Sequence, residues 1–223
     1  MSETDGYIGF RGVKEFGSEG AALRFLVKQV LSEVATSHVV KVVTARSNGE
    51  LAKPGTVDVQ ILVHQVDGMG NTYPHSTIYN VPYHRAQNGN HGIIMDPKAG
   101  DIGVIVCASR DISALKANQG VASQPGSLRR HDLADALYVG TVIATGTPTN
   151  YMQFNDSGMA LASPQNISLT ATGTITLNAA AIKIVGPIQQ SGGTITSNGK
   201  HIDDSHTHGN VQTGSGSTSP PVN

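Results

Sequence analysis

The residues best suited to chemistry lie near the end of the chain, in "HIDDSHTHGNVQTGSGSTSPPVN", where His206 and His208 flank Thr207 and His201 stands just upstream. Imidazole is a common metal ligand and changes charge near neutral pH. On a strand, residues i and i+2 project to one side, so an extended backbone would give His206 and His208 a shared direction. Two imidazoles do not fill a coordination sphere. Without further partners they are solvated side chains in a tail of Gly, Ser, Thr and Pro. Asp203 and Asp204 are adjacent, so on a strand they face opposite ways and do not pair as acid and base. No G-x-S-x-G elbow, P-loop or H-E-x-x-H motif occurs, and no catalytic residue is expected. His38, His64, His75, His84, His91 and His131 are scattered without ligand spacing and read as surface or satisfied core residues. Cys107, the single cysteine, lies in the apolar run "GVIVCAS" and reads as a small buried strand residue. One thiol builds no disulfide framework, which fits synthesis in a reducing cytosol.

Whatever positions the histidines must come from an unusual composition. Only 14% of the 223 residues are charged and 4% aromatic, with 26 Gly and no Trp. An ordinary globular domain has about a quarter of its residues charged. Repetitive β-structure with a Thr, Ser and Asn surface accounts for the difference. The net charge of -1 shows no basic stripe, so nucleic-acid binding by phosphate neutralisation is not expected, nor is a small-molecule substrate. No apolar run approaches the ~20 residues of a membrane-spanning helix, and "MSETDGYIGF" has neither the basic nor the apolar region of a signal peptide.

Three zones follow one another. Residues 1–36 form an N-terminal arm and an amphipathic helix of about 16 residues, with Ser18 as N-cap and Leu23, Leu26, Val27, Val30, Leu31 and Val34 on one face. Residues 37–147 read as short strands: "VVKVVT", "TVDVQILVHQV" with Val57, Val59, Ile61 and Val63 on one face before a turn at Asp67-Gly68, "STIYNVPY", "GIIM", "DIGVIVCAS" and "ALYVGTVI". Helix-length crossovers are missing, so a small closed barrel is expected rather than a βαβ fold.

From residue 148 to 208 a repeat takes over. Apolar pairs one residue apart occur at Met152/Phe154, Met159/Leu161, Ile167/Leu169, Ile175/Leu177 and Ile182/Ile184, at successive steps of seven, eight, eight and seven residues. Spacing of two is a strand's, and each step is one short strand plus a tight turn. A coiled coil would need apolar spacings of three and four and residues such as Leu, Glu and Lys, whereas Thr, Ser, Ile and Gly favour strands and turns. Strands this short do not close a core within one chain. Three chains winding together, with Ile and Leu inside a triangular prism, solve the problem, so an intertwined homotrimeric β-helix is expected. At ~4.8 Å per strand, the layers from Met152 to His208 give a prism of roughly 35 Å. Residues 209–223 form an apex cap or tail.

"NVPYHRAQNGNHGIIMDPKAGDIGVIVCASRDISAL", "RRHDLADALYVG", the Ile/Leu repeat and "HTHG", in that order, resemble the central spike, or baseplate assembly protein V, of contractile-tailed phages of the Mu-like kind. The spikes of type VI secretion systems are more distant relatives. The resemblance implies an OB-fold barrel that meets a baseplate hub protein, then a trimeric β-helix narrowing to a tip that attacks the host outer membrane, at the distal end of the virion tail. It also implies one iron ion per trimer, held by the two histidines of the H-x-H motif from each of three chains, which gives the ligand role here to His206 and His208. His201 falls outside that motif.

The same arrangement follows if the strand register continues to the motif. Two inward imidazoles from each of three chains make six, in two triangular layers, which is an octahedron. Structural zinc is nearly always tetrahedral, whereas iron and nickel accept this geometry; iron is chosen through the resemblance. A trimeric receptor-binding fibre or adhesin, or the spike of a related contractile injection system, is the rival reading. A cupin-like metalloenzyme would need three or four ligands within one chain. Imidazoles must be neutral to bind metal, so dialysis well below their ordinary pKa of ~6.5 is expected to strip the ion, as followed by elemental analysis across a pH series. Full occupancy after prolonged dialysis at low pH would point instead to kinetic trapping or to other ligands.

Overall fold

The computed structural model describes residues 17–46, 51, 53–67, 69–202 and 214. The described chain is mainly β, with an N-terminal helix and one large antiparallel sheet. It divides into two units, 1–166 and 167–223.

Helix α1 spans Glu19–Ser32, and Ser18 caps it: the side-chain hydroxyl accepts from the Ala21 N–H at 3.2 Å. That cap satisfies one of the amides a helix start leaves unpaired. The helix has 14 residues and ends before Val34, which therefore leaves the expected apolar face; the rest of that face, Leu23, Leu26, Val27, Val30 and Leu31, is exposed.

The sheet is built from β1 (Ser37–Arg46), β2 (Thr56–Ile61), β5 (Ile78–Pro82), β8 (Ile102–Cys107) and β9 (Ala136–Ile143), in the order β5-β2-β1-β8-β9. Two hairpins extend from it, β3 (Gln65–Val66) with β4 (Thr72–Tyr73) and β6 (Ala86–Asn88) with β7 (His91–Ile93). All five strands pair antiparallel with their neighbours. The outer strands then approach each other, because Tyr83, just after β5, forms a parallel bridge with Tyr138 of β9, and the His84 N–H donates to the Tyr138 carbonyl at 2.8 Å. The sheet therefore curls until its edges meet.

Its concave side holds the core: Val40, Val42, Val57, Val59, Ile61, Val81, Tyr83, Ile105, Ala136 and Tyr138. The alternation in β2 is as expected for Val57, Val59 and Ile61. Val63 departs from it, being 69% exposed. The Leu62 N–H still reaches the Val39 carbonyl, but β1 begins only two residues earlier, at Ser37. With no strand left to pair with, the chain bends away into β3. Asp67 organises the turn that follows, accepting from the backbone N–H groups of Met69 and Asn71.

Curling requires close approach at one point. The Tyr138 ring lies over Gly103 of β8, and a Cβ at Gly103 would collide with that ring, its hydroxyl and the Gly140 carbonyl. Gly140 itself sits at φ 149°, beside register shifts in the β8–β9 ladder. Bulges of this kind increase local twist and bend a strand.

Past the sheet, β10 (Tyr151–Asn155) and β11 (Gly158–Ala162) form a hairpin. Residues 163–195 form no strand. A short hairpin, β12 (Thr196–Ser197) with β13 (Lys200–His201), ends the described part of the second unit.

Gly103→Ala is expected to exceed the ~1–3 kcal/mol of ordinary overpacking, because backbone as well as a side chain must move. Thermal denaturation checks it: a midpoint within a few degrees of the parent would show that β8 and β9 can part freely.

Candidate functional site

His206 and His208 lie outside the described residues, as does the continuation of the strand register to them. The described approach ends with His201 in β13, opposite Thr196, and with the Ile202 N–H donating to the Ile195 carbonyl at 3.0 Å. Among the described residues no group of three or more His, Cys, Asp or Glu is arranged to hold a metal. The donor set of the H-x-H motif is imidazole alone, and imidazole suits iron, nickel, copper and zinc. The motif itself provides two such donors.

The apolar repeat leads to that motif. Ile167, Leu169, Ile175, Leu177, Ile182 and Ile184 are each more than half exposed. Single exposed apolar residues are ordinary, whereas these six recur in phase along the sequence. In β10 and β11 the phase is already expressed as pairing, with Met152 opposite Leu161 and Phe154 opposite Met159.

The structure also gathers charged residues whose roles spacing did not reveal. Arg129 binds two buried carboxylates at once. Its Nε donates to Asp135 Oδ2 at 2.7 Å, and its NH2 lies 3.0 Å from both Asp135 Oδ1 and Asp111 Oδ1. Asp135 also accepts from the Ile112 N–H at 3.0 Å, and Asp111 from the Ser113 N–H at 2.8 Å and the Ser127 hydroxyl at 2.7 Å. Hydrogen bonds from Ser113 and Ser127 hold the Asp111 carboxyl well below the usual carboxylate range, and the Arg129 guanidinium does so for Asp135. Both stay ionised at neutral pH, so neither is a proton donor there. The cluster ties the stretch around Arg129 to the end of β8 and the start of β9. Gly126 passes so close that a Cβ there would strike the Ser113 hydroxyl. The contributing residues come from "RDI", "RRHD" and "ADA", the polar parts of the stretches that carry the family resemblance.

Two further ion pairs brace the sheet. Arg85 and Asp96 are both buried and make a forked contact, NH2 lying 2.7 and 2.8 Å from the two carboxylate oxygens. Arg46 grips Asp58, which also accepts from the Asn80 N–H at 3.0 Å.

Among the scattered histidines, the structure brings His38 and His75 together, with ring centroids 6.5 Å apart. The expectation of surface or satisfied core fails at His38, whose Nε2 is buried without a hydrogen-bond partner. Burial, and secondarily His75, lowers its pKa, so the ring stays neutral. The sequence separation of this pair hides it from any spacing rule. Cys107 is half-buried at the rim of the core, and burial pushes its thiol pKa up. No protein-family model matches the chain, and no curated protein matches it either.

The Arg129 cluster has a definite pH signature. A carboxylate with a native pKa below its unfolded value of ~3.9 binds fewer protons when folded. Its stabilisation is therefore complete above that value and is lost as pH falls through the native pKa. Arg129→Met removes the partner and leaves both carboxylates buried, so lower stability at pH 7 is expected, with the deficit shrinking as pH falls below about 4 and the carboxylates protonate. Circular dichroism across pH 2–7 checks this, and coincident parent and variant curves would refute it.

Proposed function

We propose that the chain is the subunit of a homotrimeric central spike of a contractile phage-tail baseplate, which breaches the host outer membrane when the tail contracts. The observation that carries this reading is the row of apolar pairs from Met152 to Ile184. Its seven-to-eight-residue phase leads toward the H-x-H motif, and beyond β11 its side chains stay exposed with no ladder inside their own chain. Three chains wound as a β-helix would bury that row along a common axis and satisfy the strand edges against one another.

An OB-fold reading of the sheet is supported by its connectivity. That fold is a five-stranded, partly open Greek-key barrel. Here the order β5-β2-β1-β8-β9 returns on itself through the parallel bridge from Tyr83 to Tyr138. In this role the barrel is the base that meets the hub protein, and the buried ion pairs and the Arg129 cluster hold it rigid while load passes through it.

The donor set fits one iron ion per trimer, since two imidazoles from each of three chains supply the six ligands of an octahedron, with His206 and His208 as donors. The ion, when bound, cross-links three chains at the apex. Six protein ligands leave no open position for a substrate, so the site is structural. Function is then mechanical: sheath contraction drives the tube, and a narrow, edge-free trimer concentrates the force at its tip.

Elemental analysis alongside native mass is the direct test. One iron per three chains, lost in the double variant His206→Ala/His208→Ala, is the expected result. A metal-free monomer would overturn the proposal, and a metal-free trimer would leave the fibre as the better reading.

A further inference from the structure

We infer that the β10–β11 hairpin is the surface through which copies of this chain first join, a collar that fixes the register of the repeats after it. The inference rests on the trimeric reading above and assigns its first contact to particular residues.

The two strands pair only with each other, so both outer edges of the hairpin are open. A two-stranded ribbon is at best marginal in water and needs cover. Its ladder runs without a shift from Tyr151 opposite Ala162 to Asn155 opposite Gly158. Directly paired residues share a face, so Met152, Phe154, Met159 and Leu161 form one apolar patch, from 48% exposed at Leu161 to 72% at Phe154. Beside it, Pro148, Tyr151 and Phe154 border an open groove of about 560 Å³.

Natural sheet edges are normally guarded by Lys, by Pro, by bulges or by shortening. Residues 151–162 contain one charged side chain, Asp156, and it sits in the turn. Five-residue strands that pair in regular register and are unguarded on both sides suit pairing rather than exposure. The occupant is a second copy of the same chain, for two reasons. Both edges need a partner, and a closed ring of three hairpins satisfies both at once, whereas a foreign strand would leave one open. The apolar face also continues in phase with Ile167 and Leu169 of its own chain, so a ring of hairpins delivers three chains to the next layer already aligned.

Register is the consequence. A slip of one residue moves every side chain of a strand to the opposite face. Residues 163–195 have no ladder of their own to resist such a slip. The hairpin, with five paired positions on each strand, holds the longest ladder of the described chain beyond residue 144.

The test uses the full-length chain at a series of concentrations, read by native mass and by the near-ultraviolet signal of the buried Tyr83 and Tyr138. Met152→Ser/Phe154→Ser, and separately Met159→Ser/Leu161→Ser, are expected to raise the concentration for half-assembly by at least about 100-fold while the tyrosine signal persists. Gln153→Ser, on the other face, and Ile182→Ser/Ile184→Ser, late in the repeat, are expected to remain trimeric. A trimeric parent whose two hairpin variants assemble as it does would overturn the collar alone. A monomeric parent would overturn the trimeric reading with it.

Discussion

A strand of four or five residues offers one face only two inward side chains, and a chain made of such strands does not bury them by itself. The apolar pairs from Ile167 to Ile184 are governed by that constraint. Burying an apolar side chain is worth roughly 1.5–3 kcal/mol, but each pair here faces solvent within its own chain. Residues 163–195 do not gain that energy within their own chain, and the backbone entropy of about 1–2 kcal/mol per residue opposes ordering them. On the trimeric reading proposed above, fold and assembly are one problem for this part of the molecule.

The first unit meets the same problem differently. Its longer strands alternate over enough residues to fill an interior, and the sheet bends until Tyr83 and Tyr138 meet. Closure depends on glycine at position 103, where the absence of a side chain admits the Tyr138 ring. Around that interior, each buried carboxylate among the described residues has an arginine partner: Asp58 the exposed Arg46, Asp111 and Asp135 the half-buried Arg129, while Arg85 and Asp96 are buried together. Such pairs add little net stability compared with apolar packing, but removing one partner is costly.

Much of this was legible in the sequence where the relevant distance along the chain was short. The Ser18 cap, the helix face from Leu23 to Leu31 and the alternation of Val57, Val59 and Ile61 are local patterns, read at spacings of two to four. Val63 was misread because alternation continues in the sequence after β1 has run out. The Arg129 cluster and the His38–His75 contact join residues far apart along the chain, and only closure of the sheet brings them together. A faint signal for the cluster existed in the short acidic residues beside "RDI" and "ADA", at the ends of apolar strands. The H-x-H motif was legible as a donor set, and His206 and His208 lie outside the described residues.

The core residues of the first unit run from Val40 to Tyr138, and none comes from the repeat. That separation makes repeat number an independent variable of the gene. One period of seven or eight residues could be gained or lost by an in-frame duplication or deletion without asking the sheet's core to repack. Lengthening the molecule is then a small mutational step, whereas altering its base is a large one, and the two ends of the chain are free to diverge at different rates.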